Sequence, residues 1–218
     1  MSEARDRILA AVRLGLGRKV PLPAAQADVE RAYIAEHRPG PRPRSDWEPV
    51  QRFRERALAL ASSVDQVATM AAVPGAVAAY LASQSLPPNA VVWPALASLD
   101  WRSAGVAAEA RRPEGRDLVG ITGSFCAIAE TGTLLLVSGP STPPSASLLP
   151  ETHIAIVACS RIVRTMEDAW ALARAELGEL PRAANFVSGP SRTADIEQTL
   201  VLGAHGPYRV HIVLLDVA

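Results

Sequence analysis

Leu118-Val119-Gly120-Ile121-Thr122, Cys126-Ala127-Ile128-Ala129 and Thr133-Leu134-Leu135-Leu136-Val137 follow one another in a single apolar, glycine-punctuated stretch. Short apolar runs of this kind predict strands, here at 118–122, 125–130 and 133–138 with tight turns between them. Outward from this stretch, His153 to Ala158 and Arg209 to Leu215 read as further buried strands, with shorter ones at Val64 to Val67, Ala90 to Trp93 and Phe186-Val187. Helical spacing separates them. One helix follows Ser45 or Asp46 and carries Val50, Phe53, Ala57, Leu58 and Leu60; another runs from Pro74 to about Ser83. A third, capped by Thr165, puts Met166, Ala169, Trp170, Ala173 and Leu177 on one stripe, and Ala194 to Leu202 reads as a fourth. Such alternation predicts an α/β fold: an open, mostly parallel sheet flanked by helices.

The 218 residues suit one domain, or one with a small appendage. The boundary falls near Ser45, giving an arm over 1–44 and an α/β domain over 45–218. Within the arm, Ser2 can cap a helix with Ile8, Ala11, Val12 and Gly15 along one stripe. Pro21, Pro23, Pro39, Pro41 and Pro43 then bracket a polar stretch in which only Ala24 to His37 can be helical. Its arginines, Arg31 to Arg44, read as a solvated face.

With 22 basic against 22 acidic side chains, the composition argues against nucleic acid, whose phosphates call for excess positive charge. Lys19 is the single lysine and lies in the arm, so P-loop or Schiff-base chemistry is not expected. Cys126 and Cys159 stand far apart in apolar runs and supply neither a zinc nor an iron–sulfur ligand set. The uncharged run from Gln66 to Leu99 is broken by Pro74, Pro87, Pro88 and Pro94, so no membrane span is expected. No signal-type segment stands out near Met1, and the expectation is a cytoplasmic protein with free thiols.

Between Asp117 and Glu151 the one charged side chain is Glu130, in Ala129-Glu130-Thr131-Gly132-Thr133. An isolated carboxylate in apolar surroundings is costly to desolvate, and burial would raise its pKa toward a general acid, base or acyl acceptor. The other reading, open at this stage, is a residue exposed at a Thr131-Gly132 hairpin bend. A second candidate is Ser188 to Glu197. Read as the turn between a strand and a helix, it would offer Gly189 for close backbone approach, hydroxyls at Ser191 and Thr193, and the Arg192 fork. The helix start, which takes in Asp195, would offer free N–H groups to an anion; Thr193 with Glu197 is near a capping-box spacing, and a well-capped helix with an Arg–Asp pair is the plainer account. Thr122 and Gly123 form a weaker bend after a strand, and His205, in Gly203-Ala204-His205-Gly206-Pro207, is a loop candidate for a polar ligand. The four histidines show no HxH or HxxxH spacing, so no metal site is expected. Gly123-Ser124 and Gly189-Pro190-Ser191 do not make a GxSxG elbow.

Taken in order, Gly120-Ile121-Thr122-Gly123, Ala127 to Thr133, Ser147-Leu148-Leu149-Pro150, Ser188 to Glu197, Leu200 to Gly203 and His205-Gly206-Pro207 resemble the lactate-utilisation protein C, or LUD-domain, family. The resemblance runs from about Ser45 onward and is strongest from Gly120 to Asp216; Met1 to Arg44 matches none of its motifs. It implies a fold similar to the sugar-isomerase and CoA-transferase superfamily (NagB/RpiA-like). It also implies a role in oxidising L-lactate to pyruvate alongside partner subunits that carry iron–sulfur clusters, with this chain as the cluster-free component. The ligand expected is a small carboxylate or a phosphate-bearing molecule, held by Arg192, Ser191 and Thr193, with Glu130, Thr131, Gly132 and Thr133 nearby. By analogy to CoA transferases, Glu130 could instead be the acyl acceptor of a transferase- or isomerase-like enzyme. A non-catalytic scaffold docking its partners through the arm is the third reading.

Overall fold

A computed structural model describes residues 3–17, 23–38, 40–196 and 199–216. The chain divides into two compact units, Met1–Arg44 and Ser45–Ala218. The first holds helices α1 (Glu3–Gly15) and α2 (Ala24–Ala35), neither of which buries a residue. The proposed Ser2 cap lies outside the described residues.

The second unit is built on a six-stranded sheet. Its strands are β1 (Ser63–Val67), β2 (Asn89–Val92), β3 (Ala107–Glu109), β4 (Val119–Thr122), β7 (Thr152–Ala158) and β12 (Arg209–Leu215), in the order β1-β12-β7-β4-β2-β3. All five pairings are parallel. Parallel strands need cover on both faces, and the central three are buried almost throughout. Helices α3 (Pro49–Ala59) and α4 (Val73–Ser83) supply part of it through Phe53, Ala57, Val77, Tyr80 and Leu81. The cap of α3 is Glu48, whose carboxylate accepts from the backbone N–H groups of Val50 and Gln51, and not Ser45 or Asp46. Pro49 fixes the start, because proline fits the first turn, where its missing N–H costs nothing.

The strands of the central stretch separate. After β4 the chain leaves the large sheet and forms a second one from β5 (Cys126–Ile128), β6 (Thr133–Val137), β8 (Ile162–Val163) and β9 (Ala184–Val187), ordered β8-β5-β6-β9. Side chains alternate across it. Ala127, Ala129, Leu134 and Leu136 join the main core, whereas Cys126, Ile128 and Leu135 pack with Ala169 of α5 (Met166–Leu177). Helix α5 carries the expected Thr165 cap, as a capping box closed by Asp168. It covers this second sheet.

The helix expected over Ala194 to Leu202 is absent. Arg192–Ile196 (β10) and Thr199–Leu202 (β11) pair antiparallel in a two-stranded ribbon, with Arg192 opposite Leu202 and Thr193 opposite Val201. Thr193, Ile196, Thr199 and Val201 are β-branched, which favours the pleated backbone over the crowded helix.

Candidate functional site

The Glu130 bend and the Ser188–Arg192 stretch meet at the C-terminal end of α3. Gly132 has φ +70°, and a Cβ there would lie 2.7 Å from the Ala57 nitrogen, so only glycine lets the bend press against the helix. Arg56 Nε donates to the Glu130 carbonyl at 3.2 Å. From the other side, Gly189 (φ +77°) leaves no room for a Cβ beside the Leu60 carbonyl, to which Arg192 donates at 3.0 Å. Leu60 is the C-cap of α3, where carbonyls lack helical partners and carry partial negative charge, so part of the Arg192 fork is engaged as a cap.

Three hydroxyls tie the stretches together. Thr131 Oγ1 lies 2.8 Å from Thr133 Oγ1, which lies 2.7 Å from Ser188 Oγ. Thr133 is buried and Thr131 exposed. Glu130 is half-buried, and its carboxylate has no hydrogen-bond or ion-pair partner among the described residues. The acid is therefore neither sealed in the core nor spent on a neighbour.

Other expected residues lie elsewhere. Thr122 is fully buried in the large sheet, and its Oγ1 is 2.7 Å from His153 Nε2, so it is not free for a ligand. Gly123 faces the Trp93 ring, which a Cβ at this position would meet at 3.7 Å. Ser191 and Thr193 sit at the start of the ribbon: Ser191 N–H donates to the Pro207 carbonyl, and Gly203 N–H donates to the Ser191 carbonyl. His205 is exposed in the bend that Gly206 packs against Ser191. With no helix here, the free N–H groups of a helix start, which the anion site was to use, are missing. The Asp195 side chain lies outside what the structure describes.

Two further features stand out, and only the first left no trace in the sequence. A cavity of about 670 Å³ lies beyond the ends of β2 and β3, walled by Pro94, Arg112, Pro143, Pro144 and Leu149. Arg111 also lines it and is clamped to Asp117 at 2.6 and 2.7 Å, which holds that carboxyl below the usual range. The other is a pair of buried histidines on opposite faces of the large sheet. His153 is held by Thr122, and its Nδ1 has no partner; His211 Nδ1 is 2.9 Å from Ser63 Oγ. Burial lowers the pKa of each to about 4. A histidine inside an otherwise apolar strand was the available signal. Among the described residues no three His, Cys, Asp or Glu side chains group as a metal site, and no helix is long and apolar enough to cross a membrane.

In fold, the chain is similar to the crystal structure of a DUF162 family protein from Deinococcus radiodurans, with a TM-score of 0.60 over 79% of this chain and 99% of that one at 24% identity. In sequence it is similar to proteins named lactate utilization protein C. That of Geobacillus sp. (strain WCH70) is 44% identical over 102 residues, covering 45% of this chain and 42% of the relative. That of Bacillus subtilis (strain 168) is 43% identical over 101 residues, with 45% and 42% covered. The chain thus spans about half the length of the curated relatives it matches. The LUD domain family model matches residues 94–215, which takes in the second sheet, the Glu130 bend and the ribbon. By that match over more than half of its length, the chain belongs to the LUD-domain family.

Proposed function

We propose that this chain serves lactate utilisation, as a cytoplasmic component that works with iron–sulfur partner subunits in oxidising L-lactate to pyruvate and binds a small anionic ligand. The names of its relatives support the pathway. The absence of a zinc or iron–sulfur ligand set in the sequence fits a cluster-free component.

One observation carries the ligand site: Thr131, Thr133 and Ser188 form a continuous hydroxyl chain that begins next in sequence to Glu130, whose carboxylate has no partner among the described residues. Hydroxyls both donate and accept, so the chain can orient a carboxylate or phosphate ligand that Arg192 and Arg56 attract. Glu130→Gln and Arg192→Ala, each shown to fold, are expected to slow growth on L-lactate. Growth at the wild-type rate by both would remove the site.

The free carboxylate also favours a second reading, in which Glu130 accepts an acyl group from a thioester. Its oxygen would attack the thioester carbonyl and expel the thiolate, leaving a mixed anhydride on Glu130. Incubation with acetyl-CoA followed by mass spectrometry of the protein tests it. A 130-centred adduct is expected, and an unmodified protein overturns the reading.

A further inference from the structure

A separate cluster is built on β1, β12 and α4, and it rests on no part of the reading above. Ser63 opens β1, an edge strand, and pairs in register with His211 on β12. Asp65 lies two residues on, so its side chain leaves the same face. Ser63 Oγ is 2.9 Å from His211 Nδ1, and Asp65 Oδ2 is 3.7 Å from Nε2. The ring is 1% exposed, Nε2 has no hydrogen-bond partner, and Tyr80 stacks on the imidazole at 3.8 Å and 8°. Two cavities of about 310 and 360 Å³ meet here, and Ser63, Tyr80 and Gln84 line both.

We propose that Ser63, His211, Asp65 and Tyr80 form a second reactive site, in which Ser63 is the nucleophile for hydrolysis of short acyl esters. At 2.9 Å the Ser63 hydroxyl is placed to donate to Nδ1, and in that tautomer Nε2–H faces Asp65. That is the logic of a nucleophile, a base and an orienting acid, with the two ring nitrogens exchanged relative to the usual triad. It needs no GxSxG elbow, because such sites are defined by geometry and not by sequence position.

The chemistry balances without an outside oxidant. Ser63 Oγ attacks the ester carbonyl while its proton passes to Nδ1, and the imidazolium so formed is balanced by Asp65. The oxyanion takes a hydrogen bond from Tyr80. When the C–O bond to the alcohol breaks, the Nδ1 proton goes to the leaving oxygen and an acyl–Ser63 ester remains. Water then gives a proton to Nδ1 and attacks the acyl carbon. The acid departs, and the proton returns to Ser63 Oγ. The two cavities hold the acyl and alcohol halves of the substrate.

The test uses the full chain with a fluorophosphonate probe and p-nitrophenyl acetate. Labelling is expected to map to Ser63 and vanish in Ser63→Ala, a substitution at an exposed edge position that the fold tolerates. Ester hydrolysis is expected to fall about 100-fold or more in the same variant. Asp65 is a positioning residue: Asp65→Asn is expected to lose most of the rate and Asp65→Glu to restore part of it, at equal thermal stability. Folded wild-type protein that takes no label, or label that persists in Ser63→Ala, overturns the proposal. So does equal hydrolysis by wild type and Ser63→Ala.

Discussion

His153 and His211 occupy neighbouring strands of one sheet, both buried and both held neutral, yet their surroundings differ completely. In register His153 stands beside Gly120 and Val210, and His211 beside Ser63 and Ile154, so the two rings leave opposite faces. The Gly120 face is sealed: a Cβ on that glycine would come 2.0 Å from the Ala146 carbonyl oxygen, so the Pro144–Ser147 turn lies directly on the strands. The His211 face is covered by α4 but opens into cavities beside Tyr80. One imidazole is packing; the other has reactive neighbours and room for a guest. Burial alone does not mark a functional histidine; the site proposed at His211 adds a hydroxyl partner that a cavity reaches.

The contrast breaks most readily at Gly120. Gly120→Ala forces the Pro144–Ser147 turn off the sheet and is expected to cost about 4 kcal/mol, seen as a large drop in Tm. Acid tests the sealed side next. His153 titrates near 4 when folded and near 6.5 when unfolded, so between those values the unfolded chain binds the extra proton. Its contribution is complete above pH 6.5 and is lost as pH falls toward 4, about 3 kcal/mol in all. His211 acts in the same direction, and urea melts from pH 7 to pH 4 measure the sum. A smaller effect is expected from Thr122→Val, which strips His153 of its one hydrogen bond and costs about 2 kcal/mol. Smallest on stability is Tyr80→Leu, about 1 kcal/mol for the lost stack. That variant sharpens the comparison, because it should harm ester hydrolysis far more than folding.

Much of the large sheet was legible because its central strands are buried on both faces and so read as unbroken apolar runs, His153 to Ala158 and Arg209 to Leu215 above all. Strand β3 was not, since two of its three residues are exposed and it carries little apolar signal. The 192–202 segment misled because Ile196 and Leu200, four apart, suit a helical stripe as well as a strand. A ribbon of two strands has no third strand whose burial would settle the period. At the Glu130 bend, sequence order showed the residues but not that α3 would be the anvil for both glycines. Ser63 and His211 lie 148 residues apart, and only the parallel pairing of β1 with β12 unites them.

That same pairing governs how the protein is made. The Asp216 N–H donates to the Val67 carbonyl and closes β12 onto β1, so an early strand waits for a late one. On the ribosome β1 stays without its partner until nearly all of the domain has been translated. Long-range pairing of this kind slows folding and exposes unpaired backbone in the meantime. Nascent chains stalled before Arg209 should therefore be protease-sensitive around β1 and bound by holdase chaperones, and release should follow once β12 clears the exit tunnel.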